Sequence, residues 1–250
     1  MGYIIVLRPF EKDDEKECNA LLQEAVKSLT NNMIKDTIFM KLLYLFVLYT
    51  ILLNFGVSQK AISLLVIVYA MFVYIMTYLS VTKRIVGLKR NIWRDCLYKS
   101  NCSIWVAEAL EPLHIKRDIK NEPYIIIPDY EYRRFEMSFR FISSKIVGII
   151  SVCGSSKDIY TKANIDMLFV HNLYAERNIE EKLLEIATTY AINKKCFGIN
   201  IQLTEYHRKI MQMCLQCGFK LMRTYSQFFF LKTLTMYELT YQMPEDNVDR

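Results

Sequence analysis

The chain has 250 residues, 52% of them hydrophobic, with 32 Lys and Arg against 26 Asp and Glu for a net charge of +6. That length accommodates one globular domain of ordinary size. The charge excess is modest and comes without a basic stripe interleaved with aromatics, so no nucleic-acid partner is expected. Seven cysteines at scattered positions do not resemble a secreted disulfide framework, and reduced thiols facing the cytosol are expected instead.

Ile4–Leu7 is a short apolar run closed by Arg8 and Pro9, which predicts a strand. Cys18, Leu21, Leu22, Ala25, Val26 and Leu29 then recur at the three-and-four spacing of an amphipathic helix. Two apolar blocks come next, Ile38–Phe55 and Ala61–Val81. The second carries no charge and, at about 1.5 Å per residue, reaches about 30 Å, the thickness of a bilayer's hydrocarbon core. The first contains Lys41, close enough to its end to snorkel. Joined only by Asn54–Lys60, the two blocks predict a transmembrane helical hairpin over 38–82, inserted between residues 1–37 and 83–243 of one domain. A re-entrant hairpin and a pair of helices buried in a soluble core are the alternatives. Lys83, Arg84, Lys89, Arg90 and Arg94 lie just after the hairpin while its loop offers only Lys60, which places both termini in the cytosol and the basic stretch against membrane lipids.

Beyond the hairpin the pattern predicts a helix over Arg90–Tyr98 and a strand over Ser103–Glu108. Leu110–Arg134, with Pro112, Pro123 and Pro128, reads as an insertion holding a short strand at Tyr124–Ile127. Strands Glu136–Ile142 and Lys145–Cys153 are expected, joined by a tight turn at Ser143 and Ser144. A strand over Ile165–His171, a helix over Glu176–Asn193, a strand over Gly198–Leu203 and a helix over Glu205–Cys217 come next. Gly218 is placed to end that last helix in a left-handed cap. Strands Lys220–Tyr225 and Gln227–Tyr241 close the domain before a polar tail, 244–250. Cys214 and Cys217 are the one pair at ligand spacing, but no second pair completes a zinc site, so they read as packing and no metal is expected.

This order of elements resembles the GNAT superfamily of acetyl-CoA-dependent N-acetyltransferases. The resemblance is carried by Val6-Leu7-Arg8-Pro9-Phe10 with Asp13-Asp14, by Trp105-Val106-Ala107-Glu108, by Lys145-Ile146-Val147-Gly148-Ile149-Ile150 and by Cys217-Gly218-Phe219, and it covers nearly the whole chain. An apolar hairpin between the first two helices is similar to the membrane-anchored, camello-like branch, which includes aspartate and cysteine-conjugate N-acetyltransferases of the endoplasmic reticulum. The resemblance implies an α+β fold with a mixed central sheet flanked by helices, and an endoplasmic-reticulum location.

It also implies acetyl-CoA as cosubstrate and an amine as acceptor. Tyr174–Leu184 matches the family's phosphate loop, so Ala175, Glu176, Arg177, Asn178, Ile179 and Glu180 are the implied diphosphate contacts, with Leu168, Phe169 and Val170 of the preceding strand beside the pantetheine arm. Asn178 and Glu180 stand where the family has glycine or another small residue, and Ala175 stands where it has Arg or Gln. The family's Glu and Tyr match Asn164 and Cys214 here. Asp166 lies two residues beyond Asn164, on the same strand face, and is the candidate base; Cys214 is the candidate acid, and His207 a candidate contact to CoA or substrate. Two readings stay open: a membrane-anchored N-acetyltransferase acting on a small amino acid, a conjugate or a protein lysine, and a silent acetyltransferase fold that serves as a membrane-bound scaffold. Nothing in the sequence bears on the oligomeric state.

Overall fold

Near-continuous runs of Ile, Val and Leu, such as Ile4–Leu7 and Ile146–Ile150, supply strands whose two faces are both apolar near the middle of the domain, so the sheet they form has to be covered on each side. The computed structural model describes residues 3–54, 58–60, 63–72, 74–76, 78–79, 102–111, 124–135, 143–154, 162–175, 177–229 and 232–243. Its strands are β1 (Tyr3–Pro9), β2 (Cys102–Glu111), β3 (Tyr124–Pro128), β4 (Ser143–Cys153), β5 (Ala163–Val170), β6 (Gly198–Thr204), β7 (Lys220–Phe229) and β8 (Lys232–Gln242). They form a mixed eight-stranded sheet in the order β3-β1-β2-β4-β5-β6-β8-β7. β3 runs parallel to β1 and β5 parallel to β6, while the other neighbours are antiparallel.

Among the described residues four helices flank the sheet: α1 (Glu15–Asn54), α2 (Asp129–Phe135), α3 (Ile179–Asn193) and α4 (Arg208–Gln216). On one face α1 lays Cys18, Leu21 and Leu22 on Ile104, Val106, Ile146, Ile149 and Met167, and Tyr132 of α2 packs with Ile4, Val6 and Leu110. On the other, α3 and α4 bury Ile179, Leu183, Ala187 and Cys214 against Val147, Ile150, Ile165 and Leu168. Gly148 lets α3 approach closely: a Cβ there would lie 3.1 Å from Ala107 Cβ, 3.2 Å from Leu183 Cδ1 and 3.3 Å from Ile179 Cγ2. Gly218 ends α4 at φ +89°, the left-handed cap expected there.

Arg8 ties β1 to the turn before α1 and to β2. Its Nη1 and Nη2 donate to Asp14 at 2.6 and 2.8 Å and its Nε to Glu108 at 2.6 Å. Burial alone would raise the Asp14 carboxyl, but the Arg8 guanidinium and the Glu11 N–H outweigh it and leave the group below its ordinary value.

The helix predicted to stop before Ile38 runs on without a break to Asn54. No glycine or proline lies between Glu15 and Asn54 to interrupt it. Residues 63–72 are helical as well. Among the described residues no helix is long and apolar enough to cross a membrane, so the structure does not supply the spanning hairpin. Part of each apolar block lies outside the described residues, namely 55 in the first and 61–62, 73, 77 and 80–81 in the second. The helix expected at Arg90–Tyr98 and the strand at Glu136–Ile142 also lie outside them.

Three expectations are corrected. Ser143 and Ser144 are not a turn; they extend β4 opposite Glu111 and Leu110, because a ladder is held by backbone groups that any residue provides. The final hairpin does not break at Ser226, which pairs with Thr235; β7 and β8 stay paired as far as Phe229 and Lys232. Finally, Cys102 and Cys153 are not free thiols. As the first residue of β2 and the last of β4 they are register partners, 4.1 Å apart at Cα, and they form a disulfide.

Candidate active site

A parallel pair that separates part-way along its length leaves backbone groups on both strands without a ladder partner, and such an opening can admit an extended ligand. β5 and β6 pair only at Ala163 with Ile199, Asn164 with Asn200 and Ile165 with Ile201. Beyond Ile165 and Ile201 they diverge. On the other side of β5, Ser151 pairs with Met167 and Val152 with Ile165, so Asp166 is skipped and forms a β-bulge. The bulge reverses the alternation. Ala163 and Ile165 face α3 before it, whereas Leu168 faces α3 and Met167 faces α1 after it. Asp166, with Asn164, is exposed. Bulges re-aim a side chain and end pairing, and here both effects fall on the predicted base.

Because β5 and β6 are parallel, their C-terminal ends lie at the same end of the sheet. The chain leaves β5 at Val170 and turns through residues 171–178 into α3. Tyr174 is buried and anchors this loop, its ring edge-on to Tyr124 at 5.6 Å and to His171 at 5.9 Å between centroids. Arg177 lays its guanidinium over the Tyr124 ring, 4.0 Å from the centroid. Asn178 enters the helix in the left-handed conformation, φ 58°; asparagine tolerates it where the family has glycine. Glu176 lies outside the described residues.

The α3 ladder begins with Lys182 N–H donating to Asn178 O at 3.1 Å, so the amides of Ile179, Glu180 and Glu181 precede it. The Glu180 carboxylate folds back on its own N–H. Burial raises its pKa above the ordinary carboxyl value, with that N–H and Lys209 of α4 pulling the other way. A negative group therefore already occupies part of the anion-attracting position.

His207 sits between β6 and α4. Its Nδ1 lies 3.2 Å from the Thr204 N–H and 2.8 Å from Thr204 Oγ1, and Tyr206 N–H donates to that hydroxyl at 3.4 Å. A backbone N–H can only donate, so Nδ1 accepts and the proton resides on Nε2. Burial lowers the pKa, keeping the ring neutral. Cys214 is fully buried in the core against the sheet, where burial pushes its thiol up to about 12. At that value it stays protonated.

The structure thus brings Leu168, Phe169, Val170, Ala175, Arg177, Asn178, Ile179, Glu180 and His207 to one end of the sheet, with Asp166 at the head of the opening, and leaves Cys214 in the packing beneath. Leu168 and Ile179 are buried, Phe169, Val170 and Ala175 half-buried, and Asn178 exposed. Sequence reasoning names His207 but not its bonds to Thr204, and it misses the His171 contacts altogether, since neither set of contacts forms a motif. Among the described residues no cluster of His, Cys, Asp or Glu is arranged to hold a metal.

The cosubstrate that the resemblance implies, acetyl-CoA, needs a slot for its pantetheine arm and donors for its diphosphate. The diverging strands match the first need. The left-handed entry at Asn178 and the amides of Ile179 and Glu181 match the second, with Glu180 as the one discordant side chain.

No protein-family model and no curated protein matches the chain. The solved structures similar to it include Arabidopsis thaliana NAA60 in complex with a bisubstrate analogue, at 13% identity and TM-score 0.42 over 61% of this chain and 81% of that one. A GNAT-family acetyltransferase from Streptococcus pneumoniae gives 11% identity and TM-score 0.43 over 62% and 75%. A protein described as a phosphinothricin N-acetyltransferase gives 11% identity and TM-score 0.49 over 96% and 99%. At these identities and scores the likeness assigns neither a family nor an activity to this chain, whose function has to be argued from its own site.

Proposed function

We propose that the chain is a membrane-anchored N-acetyltransferase that moves an acetyl group from acetyl-CoA to an amine. The observation that carries the reading is the coincidence, at Asp166, of the β5 bulge with the end of β5–β6 pairing, on the strand whose C-terminal end leads to the left-handed entry into α3. Acetyl-CoA, when bound, supplies an acyl group activated as a thioester. The backbone of β5 beyond Asp166 offers donors and acceptors along the slot, and the first-turn amides of α3 face the diphosphate. His207 presents Nε2–H, fixed by Thr204, to a carbonyl at the mouth of the slot. An Asp166 carboxylate oxygen would take the proton from the acceptor's ammonium group; the free amine would then form the C–N bond as the acetyl C–S bond breaks, and CoA would leave as a thiol carrying the proton that the amine nitrogen gives up. By the resemblance the acceptor is a small amino acid, an S-conjugate or a protein lysine.

The membrane anchor is supported by side chains rather than by helix length. Leu64, Leu65, Ile67, Val68, Tyr69, Met71 and Phe72 are exposed within 63–72, and at 100° per residue they cover about 200° of that helix, with half-buried Val66 and exposed Ala70 on most of the remainder. A helix apolar all round suits lipid better than water. With the basic stretch after it, the reading places the domain on the cytosolic face of the endoplasmic reticulum, a compartment in which the Cys102–Cys153 disulfide is the discordant observation.

The test is transfer of labelled acetyl from acetyl-CoA by the detergent-purified full chain, offered amines of the three classes in turn. Label is expected on one class. Folded protein that neither transfers label nor binds CoA in calorimetry would favour the scaffold reading, which the placement of Glu180 supports. Separately, the protein is expected to stay with the membrane pellet through alkaline carbonate extraction; release into the supernatant would exclude an integral anchor.

A further inference from the structure

His171, directly after β5, meets the loop through its carbonyl and Nδ1, β4 through its N–H and α1 through Nε2. Its N–H donates at 2.7 Å to the carbonyl of Val147, the residue that the β2–β4 ladder skips. Its own carbonyl accepts from the N–H groups of Tyr174 and Ala175 at 2.8 and 3.1 Å. Nδ1 accepts from Leu173 N–H at 3.2 Å, and Nε2 lies 3.2 Å from Glu24 Oε2 on α1. The ring is 10% exposed.

Since Leu173 N–H can only donate, Nδ1 must be unprotonated and Nε2 carries the hydrogen that points to Glu24. The charges that bear on the ring are Glu24 from α1 and Lys145 from β4. Burial lowers its pKa, Glu24 opposes that shift and Lys145 adds to it, so the neutral form that the loop requires is the one favoured.

We infer that His171 is the positioning residue of the 171–178 loop: Nδ1 sets the turn that delivers the start of α3 to its anionic ligand, and the Nε2–H bond to Glu24 braces that turn against α1. The inference rests on the acetyl-CoA reading for the identity of the ligand, but not for the architecture of the loop. It makes α1, whose continuation is the apolar block, part of the support of the cosubstrate site.

Three substitutions separate the contacts. His171→Asn places an amide oxygen near the Nδ1 position and keeps an acceptor for Leu173. His171→Gln places a donor near Nε2 and keeps the reach to Glu24. His171→Leu keeps neither. On the full chain in detergent, amide exchange at Leu173 is expected to speed up about tenfold in the Leu and Gln variants, the worth of one hydrogen bond, and to stay near wild type in Asn. The dissociation constant for CoA, read by calorimetry, is expected to rise about tenfold in His171→Leu and less than threefold in His171→Asn. Nitrogen-15 shifts of the labelled histidines should show His171 as the Nε2–H tautomer.

Unchanged Leu173 protection in the Leu variant would overturn the inference. So would lost protection with CoA affinity intact. If the wild type binds no CoA, the cosubstrate reading fails while the exchange and tautomer results still decide the role of His171 in the loop.

Discussion

Asp166→Asn is expected to lower acetyl transfer to the protein's own acceptor by at least about a hundredfold, the lower end of what a positioned general base contributes. The substitution keeps shape and hydrogen-bonding reach but removes the basic oxygen. Asp166 is exposed at a bulge rather than packed in the core, so stability should change by no more than about 0.5 kcal/mol. The loss should fall on kcat more than on CoA affinity, because the proposed mechanism sets the carboxylate against the acceptor rather than the diphosphate. The measurement is kcat and KM for both substrates, with thermal unfolding as a control. A variant that transfers acetyl at the wild-type rate would remove Asp166 from the chemistry.

The second large effect is expected at Glu180. Its carboxylate, half-buried and folded on its own amide beside Lys209, stands where a diphosphate would need positive potential. Glu180→Gln removes the charge and keeps the size; Glu180→Gly removes both and frees the backbone to approach phosphate. CoA should bind about tenfold tighter to the Gln variant and tighter still to Gly, a gain of roughly 1.4 kcal/mol for the first step. The sign with pH is set by the raised pKa. As pH falls toward that value Glu180 becomes neutral, so the difference between wild type and Gln should shrink on acidification. Calorimetry between pH 5 and 8, at two salt concentrations, reads both trends. Equal affinity of wild type and Gln variant at neutral pH would mean that the carboxylate does not compete for the site.

Much of the frame was legible in the sequence because it depends on local periodicity. The face Cys18, Leu21 and Leu22 does pack on the sheet, Ile165 and its neighbours do form a strand, and Gly218 does cap α4. What escaped depends on pairing between distant segments. Ser143 and Ser144 have turn-like composition, yet β2 reaches far enough to pair with them. Cys102 and Cys153 are opposite each other only because of the β2–β4 register. Helix α2 was missed inside the proline-bearing insertion, although Asp129 at its start pairs with Arg133 one turn on, at 2.9 Å.

The site shows the same division. The resemblance alone proposes Tyr174–Leu184 as the phosphate-binding segment, and Asp166 is proposed from its position two residues from Asn164. That Asp166 is the bulged residue needed the registers on both sides of β5. That His171 and His207 are held in defined tautomers needed the backbone amides that face them, which no spacing in the sequence announces.

The unbroken course of α1 turns a residue count into a bearing. From Glu24, beside the loop, to Ile38, where the apolar block begins, there is no hinge. Each residue of that polar stretch rotates the rest of the helix by about 100° and advances it by about 1.5 Å. Deleting one would swing the apolar block more than a quarter turn about the helix axis relative to the sheet, while deleting seven would restore its heading to within about 20°. The direction in which the β5–β6 opening looks out from the apolar block is therefore phased, like the teeth of a key along a shaft, by the length of a segment that lies outside the opening itself.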